Sequence, residues 1–185
     1  MRLRGFRVSL LLVGLCATGC GGGGHQSVPA PNLLANGTFN QPAGNSFLIT
    51  NSLPGWQVVA GNIQICPSTE WQPCPGCSQT LGLTGDSPGT IQQTFSTVPG
   101  RTYMFKGYLS HDFGEGHTSG SGDVYLNGQR VAQLLHMAPA SQADMSWQPF
   151  TMPFTATATM TTLQLVDTTP GSTIQGLVLG NLSVS

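Results

Sequence analysis

Charged residues are scarce in this 185-residue chain, at 7% of the sequence, and their scarcity excludes several classes of protein. Beyond residue 20 only Arg101, Lys106 and Arg130 are basic, against seven acidic residues, which gives a net charge of −4. A surface that binds nucleic acid through its phosphates needs clustered basic side chains, so nucleic acid is not an expected partner. Disorder is not expected either, because apolar residues make up 39% of the chain.

Helical patterns and catalytic motifs are also missing. The 25 glycines and 13 prolines interrupt apolar residues at helical spacing, and we expect a single helical turn, around 138–145. No Gly-x-Ser-x-Gly, His-Glu-x-x-His or phosphate-binding loop occurs in the sequence. The few carboxylates form no evident glycosidase pair on rigid strands. We therefore expect neither an enzyme nor a cofactor.

The first twenty residues have the features of an export signal. Three arginines precede an apolar run over 8–15, which is too short to remain across a bilayer. Small residues from Ala17 then lead to Cys20, an order that resembles the lipobox of bacterial lipoproteins, with Ala17 where Leu is usual. In that interpretation Cys20 becomes a lipid-carrying N-terminus. An ordinary secretory signal, cut nearby, is the alternative.

The remainder of the chain is predicted to be a tether and one domain. Residues 21–31 are rich in Gly and Pro, as flexible tethers are, and residues 32–185 suffice for a single core. No second apolar segment follows, so we expect membrane attachment only through the lipid on Cys20. The expected location is the cell envelope, at the outer membrane or the cell surface.

Short alternating runs separated by turn residues predict an all-β sandwich. Asn127-Gly128 is the strongest hairpin signal. In the longest run Tyr103 and Phe105 share the face that we expect to be buried, and Trp56 and Trp147 are expected in the core. The ten predicted strands cover residues 56–59, 62–65, 79–84, 90–96, 102–110, 123–126, 129–135, 147–156, 162–166 and 174–184.

The order of several short motifs resembles a known family. These motifs are NLLANGTFN, LPGW, LGLTG, PGTIQQTF, VPGRTY and LGNLSV, spread from residue 32 to residue 184. They resemble the choice-of-anchor C family and related plant cell-wall proteins of unknown function, within the galactose-binding-like jelly rolls that include many carbohydrate-binding modules. The resemblance implies a two-sheet antiparallel jelly-roll sandwich and a role at cell surfaces or on polysaccharides.

This sequence departs from the family at a structural calcium site. Many of these domains have Glu after Asn-Gly-x-Phe and Asp just before the Asn or Asp of the last strand. The matching residues here are Asn40 and Gly180. Because calcium prefers charged oxygen ligands, the resemblance implies a weak or absent calcium site.

Three cysteines, Cys66, Cys74 and Cys77, lie in one short segment with Trp71. In an exported protein they predict one disulfide and one remaining thiol, and the sequence leaves the pairing open. A redox pair or a metal site is the alternative to a structural disulfide. Trp71 could stack on a sugar ring or pack over the edge of the sandwich, and the sequence favours neither.

A polar, glycine-rich loop holds a candidate metal site. His111, Asp112, Glu115 and His117 lie within seven residues, with Asp123 nearby. Imidazoles and carboxylates ligate zinc or another divalent ion. A solvated loop is the alternative, because no regular spacing holds these side chains on one face.

The outward face of the longest strand is a candidate binding surface, because Met104, Lys106 and Tyr108 alternate with its buried residues. The predicted function is a surface-anchored, non-catalytic module that binds carbohydrate or cell-wall polysaccharide. The alternative is a structural or protein-interaction lipoprotein of the envelope, with a protein partner. A metal-dependent enzyme at His111 and His117 is a third hypothesis.

Overall fold

The computed structural model describes residues 30–171 and 174–185. The predicted signal over 1–20, its Cys20 and nearly all of the predicted tether over 21–31 lie outside the described residues. No helix within the described part is long and apolar enough to cross a membrane. The strands are β1 (Leu48–Thr50), β2 (Gln57–Ala60), β3 (Ile63–Pro67), β4 (Gln79–Gly82), β5 (Thr90–Ser96), β6 (Thr102–His111), β7 (Gly120–Leu126), β8 (Gln129–His136), β9 (Gln148–Thr155), β10 (Met160–Asp167) and β11 (Leu177–Val184).

The strands form two antiparallel sheets, which confirms the predicted all-β sandwich. One sheet has six strands in the order β1-β3-β4-β11-β6-β9, and the other has five in the order β2-β5-β10-β7-β8. The predicted strands all occur with small shifts at their ends, whereas β1 was not predicted. A short 3-10 turn over Gly114–Gly116 was not predicted either.

The main core lies between the sheets and follows the alternation of the strands. In β6 the side chains of Tyr103, Phe105 and Leu109 are buried in this core, as expected for one face. Each such side chain contributes about 1.5–3 kcal/mol through removal of apolar surface from water. Trp56 also belongs to the main core, as predicted. Trp147 does not, because it is half-buried against a separate cluster.

The β7–β8 hairpin confirms its sequence signal. Asn127 and Gly128 have φ values of 51° and 81°, and two successive residues with positive φ are typical of the tight turn that Asn-Gly favours. The turn fixes the register that places Tyr125 opposite Arg130. One outward-facing pair of the sheet therefore depends directly on this turn.

A second, smaller core covers part of the outer face of the six-stranded sheet. Cys66, Trp71, Met145 and Val178 are buried together there, and Phe113 and Trp147 pack against them. Val178 lies between Leu177 and Leu179, whose side chains face the main core, so the Val178 side chain points to the outer face of the sheet. The loops that carry Trp71 and Met145 therefore act as a cover over this end of the sheet.

The predicted helical turn over 138–145 is wrong. The Met145 amide donates to Oε1 of Gln72 at 2.9 Å, and the Gln72 amide donates to the carbonyl of Gln142 at 2.9 Å. These bonds tie the segment to the loop around Gln72 and compete with bonds inside a helix. Local composition favoured a helix, but the neighbouring loop supplies the hydrogen-bond partners.

Candidate functional site

Trp71 is a structural residue and does not present a stacking platform to solvent. Its side chain is 5% exposed, and its indole N–H donates to the hydroxyl of Thr80 at 2.9 Å. The rings of Phe47 and Phe113 contact it edge-on, with centroids at 5.4 Å and 6.3 Å. Of the two alternatives for Trp71, the structure supports packing against the sheet, since no ring face is left for a sugar.

The disulfide joins Cys74 to Cys77, and Cys66 is a free, buried thiol. Burial raises the pKa of the Cys66 thiol well above its ordinary value, and the nearby Asp112 charge acts in the same direction. A neutral, buried thiol is a poor nucleophile and a poor metal ligand. The arrangement therefore fits a structural disulfide, and it leaves the metal alternative without thiolate ligands.

The disulfide also occupies the place where the resemblance put a calcium site. Both sulfur atoms lie against Gly180, so that even a methyl group there would collide with them. Asn40 accepts a hydrogen bond from the hydroxyl of Ser78, the residue after Cys77. The disulfide therefore fills the space at Gly180, and neither position supplies the carboxylate that a calcium site prefers.

His111 is buried in a histidine pair and is not presented as a metal ligand. It is 1% exposed, and its Nδ1 lies 2.8 Å from Nδ1 of His136, which is fully buried. The outer nitrogens face backbone carbonyls, Nε2 of His136 at 2.8 Å from that of Ser146 and Nε2 of His111 at 3.3 Å from that of His117. The pair joins β6 of one sheet to β8 of the other.

The proton count of this pair is unusual. Three contacts between nitrogens and acceptors need three N–H groups, whereas two neutral imidazoles supply two. In a neutral pair one of the three contacts therefore lacks a proton, and the contact from His111 Nε2 to the His117 carbonyl is the longest of them at 3.3 Å. Burial lowers the pKa of His111, and the neighbouring His136 lowers it further, which favours that neutral form.

Two carboxylates of this region, Asp112 of the predicted metal cluster and the nearby Asp123, have other partners. One carboxylate oxygen of Asp112 accepts the amide of Gly114 at 2.9 Å, and Asp123 is paired with Arg130. Across the described residues, no group of three or more His, Cys, Asp or Glu side chains is placed to hold a metal ion. The described residues therefore do not bring His111, Asp112, Glu115 and His117 together as a metal site, and His111 is buried against His136 instead.

Met104, Lys106 and Tyr108 do share the outer face of β6. Lys106 is exposed, whereas Met104 and Tyr108 are half-buried. They lie opposite Thr151 and two prolines of β9, beside the part of the sheet that the second core covers. Their role in ligand binding stays a prediction.

The outer face of the five-stranded sheet carries a row of polar side chains that the sequence did not point to. One residue from each strand lies directly opposite the next across the whole sheet. We call this set the amide row; in order across the sheet its members are Gln57, Gln92, Gln164, Tyr125 and Arg130. With strands about 4.8 Å apart, the row is about 19 Å long.

The glutamines of the amide row are held by each other. Nε2 of Gln92 donates to Oε1 of Gln57 at 2.9 Å, and Nε2 of Gln164 donates to Oε1 of Gln92 at 3.2 Å. The bonds fix the amide planes, and each amide keeps further donors or acceptors for a ligand. The row is therefore ordered before any ligand binds, which reduces the entropic cost of binding.

The charged end of the row is neutralised by an ion pair. Arg130 makes two hydrogen bonds to Asp123, at 2.6 Å and 2.7 Å, and these raise the pKa of Arg130. The pair leaves no net charge on the row. Tyr125, half-buried between Gln164 and Arg130, supplies an aromatic ring among hydrogen-bonding groups. Ordered amides beside an aromatic ring can bind an uncharged ligand rich in hydroxyl groups.

Sequence reasoning missed this row because its members come from strands far apart in the chain. Each glutamine does alternate with buried apolar residues, as Gln92 does after Ile91 and Gln164 does between Leu163 and Leu165. That local signal marks them as outward-facing. Their alignment depends on strand order and register, which local patterns do not determine.

Comparison with known proteins finds one curated relative. Halomucin of Haloquadratum walsbyi (strain DSM 16790 / HBSQ001) is 30% identical over an alignment of 172 residues that covers 87% of this chain. The chain spans 2% of the length of Halomucin. The likeness therefore concerns one small part of a much larger protein.

Solved structures with this fold include carbohydrate-binding modules and an enzyme. A family 16 carbohydrate-binding module superposes with a TM-score of 0.56, 17% identity and coverage of 83% of this chain and 99% of the module. A family 61 module in complex with β-1,4-galactotriose has a TM-score of 0.54, 10% identity and coverage of 84% and 99%. A cyclase from Fischerella sp. TAU has a TM-score of 0.53, 14% identity and coverage of 82% and 94%. At such identities the likeness establishes the jelly-roll fold alone.

A family model matches most of the domain. It is described as "Protein of unknown function (DUF642)" and covers residues 32–180. The narrower assignment to the choice-of-anchor C family stays a prediction. The extent of the match shows that the chain belongs to the DUF642 family.

Proposed function

We propose that this domain is a non-catalytic carbohydrate-binding module and that the amide row is its binding face. The observation that carries the proposal is the set of mutually hydrogen-bonded glutamines in line with Tyr125 on an open sheet. The fold shared with carbohydrate-binding modules supports the same ligand class. The row extends across all five strands, so it suits an extended chain of sugars better than a single terminal sugar.

The chemistry of the face matches that of a neutral saccharide. A sugar hydroxyl both donates and accepts, and so does a side-chain amide. A sugar ring also has an apolar face that packs on an aromatic ring, and Tyr125 offers such a surface. Acidic polysaccharides are disfavoured, because Arg130 already has Asp123 as its partner.

The test is Gln92→Ala, measured against Gln148→Ala. Gln92 is at the centre of the row and takes part in both amide contacts, whereas Gln148 is an exposed glutamine on the edge strand β9 of the other sheet. Binding to a panel of neutral polysaccharides and their oligosaccharides, including β-1,4-galactan, is measured by affinity electrophoresis and calorimetry. Loss of one or two hydrogen bonds predicts an affinity about tenfold lower for Gln92→Ala.

Other results of this experiment would argue against the amide row or against carbohydrate as the ligand. Binding that is equally weakened by both glutamine variants, or by neither, removes the amide row as the site. A folded protein that binds no glycan, but cross-links to an envelope protein, would support the protein-interaction alternative.

We also propose that a lipid on Cys20 anchors the domain in the cell envelope. The proposal rests on the sequence before Cys20 and the Gly-rich segment after it. Cys20→Ser is expected to abolish lipid labelling and to move the protein from the membrane fraction to the soluble fraction. A Cys20→Ser protein that stays with membranes would contradict the anchor.

A further inference from the structure

A groove lies at one side of the sandwich, between the edge strands of the two sheets. It has a volume of about 540 Å³ and lies between β8, the edge of the five-stranded sheet, and β9, the edge of the six-stranded sheet. This volume is within the range of about 300–1,000 Å³ that is usual for small-ligand sites. The β7–β8 hairpin forms one wall and the second half of β9 forms the other.

The floor of the groove is apolar and includes an aromatic ring. Met152 and Phe154 face inward from β9 and are half-buried, with Leu126 opposite. The ring of Phe154 stacks on Tyr103, with centroids 5.6 Å apart and planes at 23°. Stacking on a core residue holds the Phe154 ring in place as part of the floor.

The rim of the groove is polar and uncharged. Asn127, Gln129, Thr155 and Thr157 contribute amides and hydroxyls, and none of the lining side chains within the described residues is charged. Gln129 is exposed, so its amide is available to a ligand. An apolar floor beneath neutral hydrogen-bonding groups matches the two chemical characters of a sugar ring.

The strands that border the groove are unsuited to binding a peptide as an added strand. Val131 is an extra residue at a bulge in β8, since Val124 pairs with Ala132 and Tyr125 with Arg130. Pro153, on β9, lacks an amide proton. Bulges and prolines at sheet edges oppose pairing with another strand. A ligand that contacts side chains is therefore favoured over a peptide that extends either sheet.

We propose that this groove is a second saccharide site, separate from the amide row, and that it takes a short neutral oligosaccharide. The Phe154 and Met152 floor contacts the apolar face of a sugar, while Gln129 and Asn127 bind its hydroxyls. The β7–β8 hairpin contributes residues to both sites: Asn127 and Gln129 line the groove, and Tyr125 and Arg130 belong to the amide row. Two sites on one domain raise the avidity for a polysaccharide that reaches both.

The experiment is NMR titration of the isotope-labelled domain with neutral trisaccharides of galactose, glucose and xylose. Resonances of the groove residues Asn127, Gln129 and Thr157 are expected to shift with their own dissociation constant, different from that of the amide-row resonances. Gln129→Ala should weaken groove binding about 3–10-fold, through loss of a hydrogen bond. Gln133→Ala is the matched control, because Gln133 is an exposed glutamine on the same strand outside the groove.

The outcomes separate this proposal from the proposed function. Shifts confined to the amide row, with Gln129→Ala without effect, would overturn the groove site and leave the row intact. Shifts in the groove alone would support the groove and refute the row. If no trisaccharide shifts groove resonances at saturating concentration, the proposal is wrong, whatever the behaviour of the row.

Discussion

Replacement of Trp71 distinguishes a structural residue from a ligand-binding one. In Trp71→Phe an aromatic ring remains, but it is smaller than the indole and the hydrogen bond to Thr80 is lost. A buried hydrogen bond contributes about 0.5–1.5 kcal/mol, and a weaker contact from the Thr80 hydroxyl to the Cys66 carbonyl remains at 3.4 Å. With the smaller ring included, we expect a loss of about 1–2 kcal/mol in the free energy of unfolding.

Trp71→Ala should cost more, because it removes the centre of the second core. Truncation of a buried aromatic side chain typically costs about 3–5 kcal/mol. For a domain of this size each kcal/mol lowers the Tm by about 2–4 °C. Urea unfolding, followed by far-UV circular dichroism, measures both variants. Neutral polysaccharide binding by the folded Trp71→Phe protein should be unchanged.

A double-mutant cycle tests the named contact itself. Thr80→Val removes the hydroxyl that accepts the indole N–H, so the two changes should be non-additive by about 1 kcal/mol. Gln148→Ala, on an exposed position, serves as a control with little effect on stability. The reasoning is refuted if Trp71→Phe unfolds like the parent protein but loses glycan binding, since the indole would then contact the ligand.

Two further predictions concern buried groups. Because the pKa of His111 is lowered in the folded state, the unfolded protein binds more protons below about pH 6.5, and this histidine's contribution to stability is lost as the pH falls. The difference in unfolding free energy between the parent and His111→Asn should therefore shrink between pH 7 and pH 5 in urea titrations. Burial raises the pKa of Asp112 and Asp167, which makes stability change with pH in the opposite direction, but this effect is common to both proteins. A difference that does not depend on pH would contradict the prediction. Reduction of the Cys74–Cys77 disulfide should cost about 2 kcal/mol for so short a loop, so reductant should lower the Tm by several degrees while chelator leaves it unchanged. A large effect of chelator would reveal a bound ion, and an unchanged Tm with reductant would show that the disulfide does not contribute to stability.

Strands and one hairpin could be predicted from local patterns. Alternation placed Tyr103 and Phe105 in the core, and Asn127-Gly128 fixed the β7–β8 turn. Both depend on the geometry of neighbouring residues, which the sequence displays directly. The strand pattern predicted an all-β sandwich, and the family resemblance implied the jelly-roll architecture.

The binding face and the second core could not be predicted, because both depend on contacts between distant segments. Gln57 and Gln164 both pair with Gln92 across neighbouring strands, and this alignment depends on the register of three strands that are separate in the sequence. Trp71 is buried because Met145, from a loop far along the chain, covers the same end of the sheet. His111 resembled a metal ligand in its loop, but its partner His136 is contributed by another strand.

The most direct test of the amide row compares two tyrosines on opposite faces of the sandwich. Tyr125 lies in the amide row of the five-stranded sheet, and Tyr108 lies on the outer face of β6 in the six-stranded sheet. Both are half-buried, so Tyr125→Ala and Tyr108→Ala are comparable changes. Dissociation constants for the same neutral polysaccharide are measured by calorimetry on both folded variants. We expect Tyr125→Ala to weaken binding about tenfold and Tyr108→Ala to leave it unchanged, whereas the reverse order would place the site on the β6 face and contradict the assignment of the amide row.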